Sequence, residues 1–266
     1  MKIISWNVNG IRAAIKKGAF DWLISQNADI FCLQETKAHP EQLPPEVVTP
    51  HGYVSYFDHS KGRKGYSGVA IYVKSSLKVD KVEYGFGVPE LDQEGRQIAL
   101  LFKGDSSKKG PKWAFINTYF PNGGGGPERL AYKLRYYDAF LAYIEKLRKN
   151  GYSIVFTGDV NTAHTEIDLA RPKENVENTG FLPIERAWID KVIDAKFIDT
   201  FRALHPKEIG AYTYWDMKTF ARERNVGWRI DYFFVSDDLM ASVKKSEILS
   251  DILGSDHCPI FLNVAL

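Results

Sequence analysis

Apolar and polar positions alternate along this chain in short runs, and the period of two recurs from its beginning to its end. "KIISWNV", "DIFCLQE", "YVSYF", "GVAIYV", "QIALLF", "KWAFINTYF", "SIVFTGD", "RIDYFFV" and "CPIFLNVAL" are rich in β-branched and aromatic residues and bounded by Gly, Pro, Asn or Asp. Each of these runs predicts a strand. The helical period is rarer. "PERLAYKLRYYDAFLAYIEKLRKNG" opens on Pro127 and closes on Gly151, and Leu130, Leu134, Tyr137, Leu141 and Ile144 recur at spacings of four and three on one predicted apolar stripe. "IRAAIKKGAFDWLISQ" and "LPIERAWIDKVIDA" are shorter amphipathic candidates. No linker, low-complexity tract or short repeat divides the chain. Two blocks of strands with helices outside them predict two mixed sheets packed face to face and covered by helices, a layered α/β sandwich forming a single domain over residues 1–266.

Composition narrows the classes. With 44% hydrophobic and 26% charged residues, the chain is of ordinary globular make-up. A net charge of +2 excludes a basic tail protein, so attraction to a polyanion has to come from local clusters. Cys32 and Cys258 lie in or beside apolar runs and read as buried free thiols in a reducing compartment, not as a disulfide scaffold. No apolar run approaches the ~20 residues of a membrane span, and the strand pattern starting at Lys2 leaves no room for a leader. A cytoplasmic, monomeric protein without a membrane partner is expected.

The chemistry-bearing residues stand at strand ends. Residues i and i+2 share a face of a strand, so Asn7 and Asn9 point together in "IISWNVNG", away from Val8. Asp159 and Asn161 do the same in "IVFTGDVN", after Gly158, which permits a sharp bend. "IFCLQE" ends on Glu35, and Tyr119 stands before the Pro121-Asn122 turn. Each alone reads more readily as a cap or turn residue. Asp231 differs, because a carboxylate among Ile230, Tyr232 and Phe233 needs a partner when buried, and histidine is suited to the role.

Two Asp-His pairs compete for that role. Asp58-His59 runs into the Gly- and Lys-rich "SKGRKG" and reads as a solvated loop. Asp256-His257 follows Gly254 and precedes "CPIFLNVAL", at the mouth of a strand like the other polar residues. The second pair is the better candidate. Carboxylates and amide oxygens without cysteine make a hard-oxygen site suited to Mg²⁺ or Mn²⁺. With a histidine and a tyrosine beside it, such a site fits attack of water on a phosphodiester. "SKGRKG" offers backbone-phosphate contacts, and Arg222, Arg224 and Arg229 interleave with Tyr214, Trp215 and Trp228 either as in a nucleic-acid surface or as a solvated charged turn followed by a core strand.

The segments "WNVNGIRA", "LQETK", "GYSGVAIY", "NTYFPNG", "GDVNTAH", "DLARPKENVENTGFLPIERAWID", "NVGWRIDYF" and "GSDHCPI" occur in the order found in the exonuclease III-type abasic-site endonucleases, and on them the chain resembles that family from about Lys2 to Leu266. The resemblance implies a four-layer α/β sandwich of the deoxyribonuclease I kind. It also implies Mg²⁺-dependent cleavage of double-stranded DNA 5′ to an abasic site, leaving a 3′-hydroxyl, with 3′-phosphodiesterase, 3′-phosphatase or 3′→5′ exonuclease side activities. By the same resemblance Glu35 is the principal metal carboxylate with Asn7 or Asn9 close by. Asp159, assisted by Asn161, orients or activates the attacking water, and both also stand near the metal. His257 contacts the scissile phosphate and is oriented by Asp231, Asp256 is a second metal position, and Tyr119 lies at the phosphate. Trp228, Tyr214 and Ile230 match a pocket for a flipped, baseless sugar, and Asn122 counts with them as substrate-binding. Three positions depart from some relatives: Asn9 replaces an aspartate, "NGGGGPERL" has glycines where an inserting arginine stands, and Lys218 replaces an inserting apolar residue.

Overall fold

The computed structural model describes residues 1–104 and 112–266. In chain order the strands are β1 (Lys2–Asn7), β2 (Ile30–Gln34), β3 (Tyr53–Asp58), β4 (Val69–Lys74), β5 (Lys81–Tyr84), β6 (Gln97–Phe102), β7 (Lys112–Tyr119), β8 (Tyr152–Asp159), β9 (Phe197–Asp199), β10 (Asp231–Ser236), β11 (Val243–Ile248) and β12 (Ile260–Val264). They form two six-stranded mixed sheets, ordered β11-β12-β1-β2-β4-β3 and β5-β6-β7-β8-β10-β9. Each sheet holds one parallel pair near its centre, β1 with β2 and β7 with β8, among antiparallel neighbours.

Alternation along the strands builds three apolar layers. Ile3, Cys32 and Ile71 of the first sheet meet Leu100, Phe115 and Val155 of the second in the central core. The opposite side chains of the first sheet, including Phe31, Leu33 and Tyr72, pack on Phe20 and Leu23 of the helix Ala19–Ser25. Those of the second sheet, including Ile116 and Phe156, pack on Phe140 and Ile144 of the helix Pro127–Lys149 and on Trp188 of the helix Pro183–Asp194. The result is helix, sheet, sheet, helix. Near one end a buried polar tie joins the sheets: Asn117 of β7 donates to the carbonyls of Leu33 (2.9 Å) and Ala70 (3.0 Å) and accepts from Gln34 Nε2 (2.6 Å).

All the strands expected from alternation form. Those without the signal, β5, β9 and β11, border on or lie at a sheet edge, and their short or charged sequences ("KVEY", "FID", "VKKSEI") are what an exposed edge tolerates. "IRAAIKKGAFDWLISQ" forms two helices, Ile11–Lys16 and Ala19–Ser25, because Gly18 takes φ 76° between them. On the long helix the buried face runs through Lys133, Tyr136, Tyr137, Phe140, Ile144 and Leu147, while Leu130, Leu134 and Leu141 are only half-buried. The expected stripe is therefore rotated toward the aromatic residues, whose larger apolar area takes the inner positions. Both cysteines are free and buried.

Candidate active site

The two parallel pairs end at the same end of the sandwich. Asn7 closes β1, Gln34 closes β2, Tyr119 closes β7 and Asp159 closes β8. Carboxyl ends of parallel strands are where open α/β sheets place ligands, and here a cavity of about 500 Å³ opens among them. Asn9, Glu35, Tyr119, Asn122, Asp159, Asn161, Tyr214, Trp228, Ile230, Asp256 and His257 line it. Asn7 and Asp231, fully or almost fully buried, stand directly behind. Every expected site residue is thus in or behind one cleft.

Local backbone geometry sets the rim. Asn9, Glu35 and Asn161 take φ values of 43°, 52° and 55°, a left-handed conformation sparsely used by residues other than glycine. Concentration of such conformations around a cleft is typical of functional sites. It also shows that strand alternation is not what pairs the asparagines, because β1 and β8 end at Asn7 and Asp159. Instead Asn9 N–H donates to Asn7 Oδ1 (3.0 Å) and Asn161 N–H to Asp159 Oδ1 (2.8 Å). Gly158 is required by close approach: a Cβ there would lie 1.7 Å from the Thr118 carbonyl oxygen on neighbouring β7.

The acidic groups are interlinked. Asn7 Nδ2 donates to Glu35 Oε1 (3.0 Å) and Asp159 Oδ2 (2.9 Å), tying the ends of the two sheets together. Asn9 Nδ2 donates to Asp256 Oδ2 (2.9 Å). Lys37 pairs with Glu35 Oε2 at 2.7 Å and also donates to Asn9 Oδ1. Burial works against the charge of Glu35, yet the Lys37 ammonium, the Asn7 amide and His257 together outweigh it and hold the carboxyl below its ordinary range. Asp159 is pushed upward by burial and by the neighbouring Asp231 carboxylate. His257 lies between them, with Nδ1 2.8 Å from Asp231 Oδ2 and Nε2 3.9 Å from Asp159 Oδ2. Burial disfavours the imidazolium, but Asp231 foremost, with the Asp159 and Asp256 carboxylates, more than compensates and raises its pKa. Burial and the nearby Glu35 carboxylate raise the Tyr119 phenol well above its usual value, which keeps it a proton donor. Glu35, Asp159 and His257 each offer a ligand atom within 4.8 Å of one another, a cluster able to hold a metal ion.

One wall of the cleft is apolar. Ile230 packs with Ala163, Leu169 and Phe181, with half-buried Trp228 and Tyr214 against them. Trp228 exchanges backbone hydrogen bonds with Tyr214 (2.9 Å each), and the Tyr214 ring lies 4.9 Å from that of His257.

Two expectations need correction. Asp58 is not in a solvated loop: it ends β3 at 8% exposure, and His59 stacks on His39 with ring centroids 3.8 Å apart, outside the cleft. The sequence "SKGRKG" beyond it, with Lys61, Arg63 and Lys64 exposed, hid the fact that the strand end itself is covered. Nor are all three interleaved arginines free for phosphate. Arg229 is fully buried and paired with Asp168 (2.7 Å) and Asp199 (2.8 Å). Arg222 spends its guanidinium on the carbonyls of Ser250, Ile252 and Ser255. Residues not anticipated in the lining are Lys37, Thr179, Gly180 and Asp216. Lys37, two positions beyond Glu35 in "LQETK", was the one with a readable signal.

The chain matches the Endonuclease/Exonuclease/phosphatase family over residues 4–257. It is 42% identical over 264 residues to the "Exodeoxyribonuclease" of Bacillus subtilis, covering 98% of each chain. It is 41% identical to the "DNA repair nuclease APEX1" of Danio rerio, over 100% of this chain and 83% of that one. Among solved structures, the AP endonuclease LMAP from Leishmania major superposes with a TM-score of 0.87 at 31% identity, covering 98% of this chain and 86% of that one.

Proposed function

Because the chain belongs to the endonuclease/exonuclease/phosphatase family, we propose that it hydrolyses the phosphodiester on the 5′ side of abasic sites in double-stranded DNA. The product is a 3′-hydroxyl for base excision repair, and 3′-phosphodiesterase and 3′→5′ exonuclease reactions accompany the main one. The observation that carries this reading is the pairing of two surfaces in one cleft. A hydrolytic cluster of Glu35, Asp159 and His257 faces a small apolar wall of Trp228, Tyr214 and Ile230. A baseless sugar turned out of the helix fits such a wall, whereas an intact nucleotide brings a base that must be accommodated. One chain supplies every group named, so we expect a monomer acting as a single catalytic unit.

The donor set fits a hard divalent cation. It is oxygen-rich and lacks thiolate, and the crowding that lifts the Asp159 carboxyl is what a cation relieves. Glu35, Asn9, Asp159 and Asp256 would hold Mg²⁺ (or Mn²⁺), with Asn161 beside them and Asn7 holding the Glu35 and Asp159 carboxylates in place through its amide N–H groups. When bound, the ion supplies charge stabilisation at the phosphate and lowers the pKa of water. The protein's own groups do the rest. Asp159 orients the attacking water with Asn161, whose amide N–H it holds at 2.8 Å. His257, charged and fixed by Asp231, faces the phosphate, and Tyr119 donates a hydrogen bond to it. Asn122, hydrogen-bonded to Asn161 Oδ1 at 3.1 Å, fixes the latter's side chain beside the substrate.

The test is strand nicking of abasic, uracil-containing and undamaged duplexes after metal stripping, in chelator, and after Mg²⁺ or Mn²⁺ is restored. Nicking confined to the abasic duplex and dependent on added metal is expected. Full activity in excess chelator would end the metal assignment. Binding without nicking would make the chain a silent DNA-binding protein, and cleavage of RNA or phosphoinositides alone would move it to another substrate class.

A further inference from the structure

Behind the cleft lies a pair of full charges with no contact with solvent. Lys133, in the long helix, and Glu185, in the first turn of the helix Pro183–Asp194, are both 0% exposed, with Nζ 2.6 Å from Oε1. A buried ion pair is weak evidence for stability, since apolar replacements of similar volume often fold as well or better. The bonds it makes point to another use. Lys133 directs its other two N–H groups to the Asn161 carbonyl oxygen (2.8 Å) and to Thr162 Oγ1 (2.9 Å). Glu185 accepts from Thr179 Oγ1 (2.8 Å), Gly180 N–H (2.6 Å) and Leu182 N–H (3.1 Å). The pair therefore clamps two walls of the cleft to each other, the Asn161 turn and the Thr179–Gly180 turn. These walls are close: a Cβ on Gly180 would stand 3.3 Å from both the Asn161 carbonyl oxygen and the Trp228 ring.

We propose that Lys133 and Glu185 are positioning residues for hydrolysis, acting through Asn161, whose left-handed backbone they hold against Asp159 and whose opposite wall they fix at the edge of the sugar pocket. The inference rests on the functional reading above. Asn161 at φ 55° is held through its amide N–H by Asp159, through its carbonyl by Lys133 and the Thr162 hydroxyl, and through its side chain by Phe120 O, Asp159 Oδ2 and Asn122. Loss of the Lys133 ammonium frees the carbonyl to turn, and the side chain that shares the attacking water with Asp159 turns with it. Small misplacements of such groups cost on the order of 10²-fold in rate. Substitutions at Lys133 and Glu185 leave every residue of the cleft lining in place, so their effect is one of orientation.

A purely structural pair and a positioning pair are separated by a variant that neutralises both charges. Lys133→Met alone leaves a buried carboxylate uncompensated and should melt far below the parent. Lys133→Met with Glu185→Gln should recover most of that melting temperature. Its kcat on an abasic duplex should nonetheless stay on the order of 10- to 100-fold low with little change in KM. In an Asn161→Ala background the same double substitution should cost at most about threefold more, because residues acting through one another are not additive. Thr162→Val, a near-isosteric change that removes the hydroxyl shared by Lys133 and Asn161, serves if the double variant does not fold; it should lower kcat severalfold and be similarly masked by Asn161→Ala. Wild-type kcat in the folded neutral-pair variant overturns the inference, as does an unchanged kcat in Thr162→Val or a full additional loss in the Asn161→Ala background. If the unsubstituted protein does not nick abasic DNA, the functional reading fails and takes the inference with it.

Discussion

Asp159 and Asp231 are registered partners on neighbouring antiparallel strands, β8 and β10. Like charges directly opposite repel, and this pair survives burial because His257 lies between the carboxylates, bonded to one and facing the other. The second oxygen of Asp231 is buried without a hydrogen-bond partner among the described residues. The charge of Asp231 is therefore committed to the imidazole.

Asp231→Asn tests that commitment. Burial alone would depress the His257 pKa, and the Asp231 carboxylate raises it instead. Removing the negative charge lowers the histidine pKa, so the imidazolium is lost at lower pH. The alkaline limb of the pH–rate profile should move toward acid while melting changes little. An unchanged limb with a near-normal rate would make Asp231 structural only.

Asp159→Asn and His257→Ala should each lower the nicking rate by roughly 10²-fold or more, the scale of a lost base or phosphate stabiliser. DNA binding should largely persist, since contacts to other phosphates supply most affinity. His59→Ala, outside the cleft, should nick as the parent does. A strong His59 effect beside a silent His257 would reverse the choice of Asp-His pair.

Trp228 separates pocket from core. A core tryptophan truncated to alanine loses ~3–5 kcal/mol, but Trp228 is only half-buried and faces the cleft. Trp228→Ala should melt within a few degrees of the parent. Abasic-site incision should fall relative to 3′-end processing, and bulkier sugars should be better tolerated. A large melting drop with constant substrate ratios would return Trp228 to the core.

Asp58 offers a stability test away from the chemistry. Burial raises its carboxyl to about 6, above the ~3.9 of an unfolded aspartate. The native state thus holds the proton more tightly, and stability declines as pH rises from about 4 through 6. Asp58→Asn keeps an oxygen for the His59 N–H, 3.0 Å away, and removes the charge. It should gain on the order of 1–3 kcal/mol above pH 7 and almost nothing at pH 4. Equal melting shifts at both pH values would rule out the buried charge as the cause.

Much of this was legible in the sequence because the central strands are covered on both faces or alternate cleanly, and because polar residues that end apolar runs, such as Glu35 and Asp159, have few ordinary places to go. Three of the four edge strands were not legible: β9 is only three residues long, and β5 and β11 need charge more than apolar surface, whereas the edge strand β3 kept its alternation. Arg229 and Lys133 were misjudged or missed for a shared reason. Their charges are buried against Asp168, Asp199 and Glu185, partners far away in the chain that no local pattern announces. Gly158 was singled out for its freedom to bend, and its φ of 145° uses that freedom; the Thr118 carbonyl of the adjacent strand, which also excludes a side chain there, was not foreseen.

The pairing of β1 with both β2 and β12 has a consequence for the order of synthesis. β1 waits with one edge bare until the residues of β12 have been made, since its antiparallel partner begins at Ile260. Asp256 and His257 arrive with that same closing strand. A chain grown only as far as β8 therefore carries Glu35 and Asp159 but not the histidine between the carboxylates, and the cleft is complete only once the segment leading into β12 has been made.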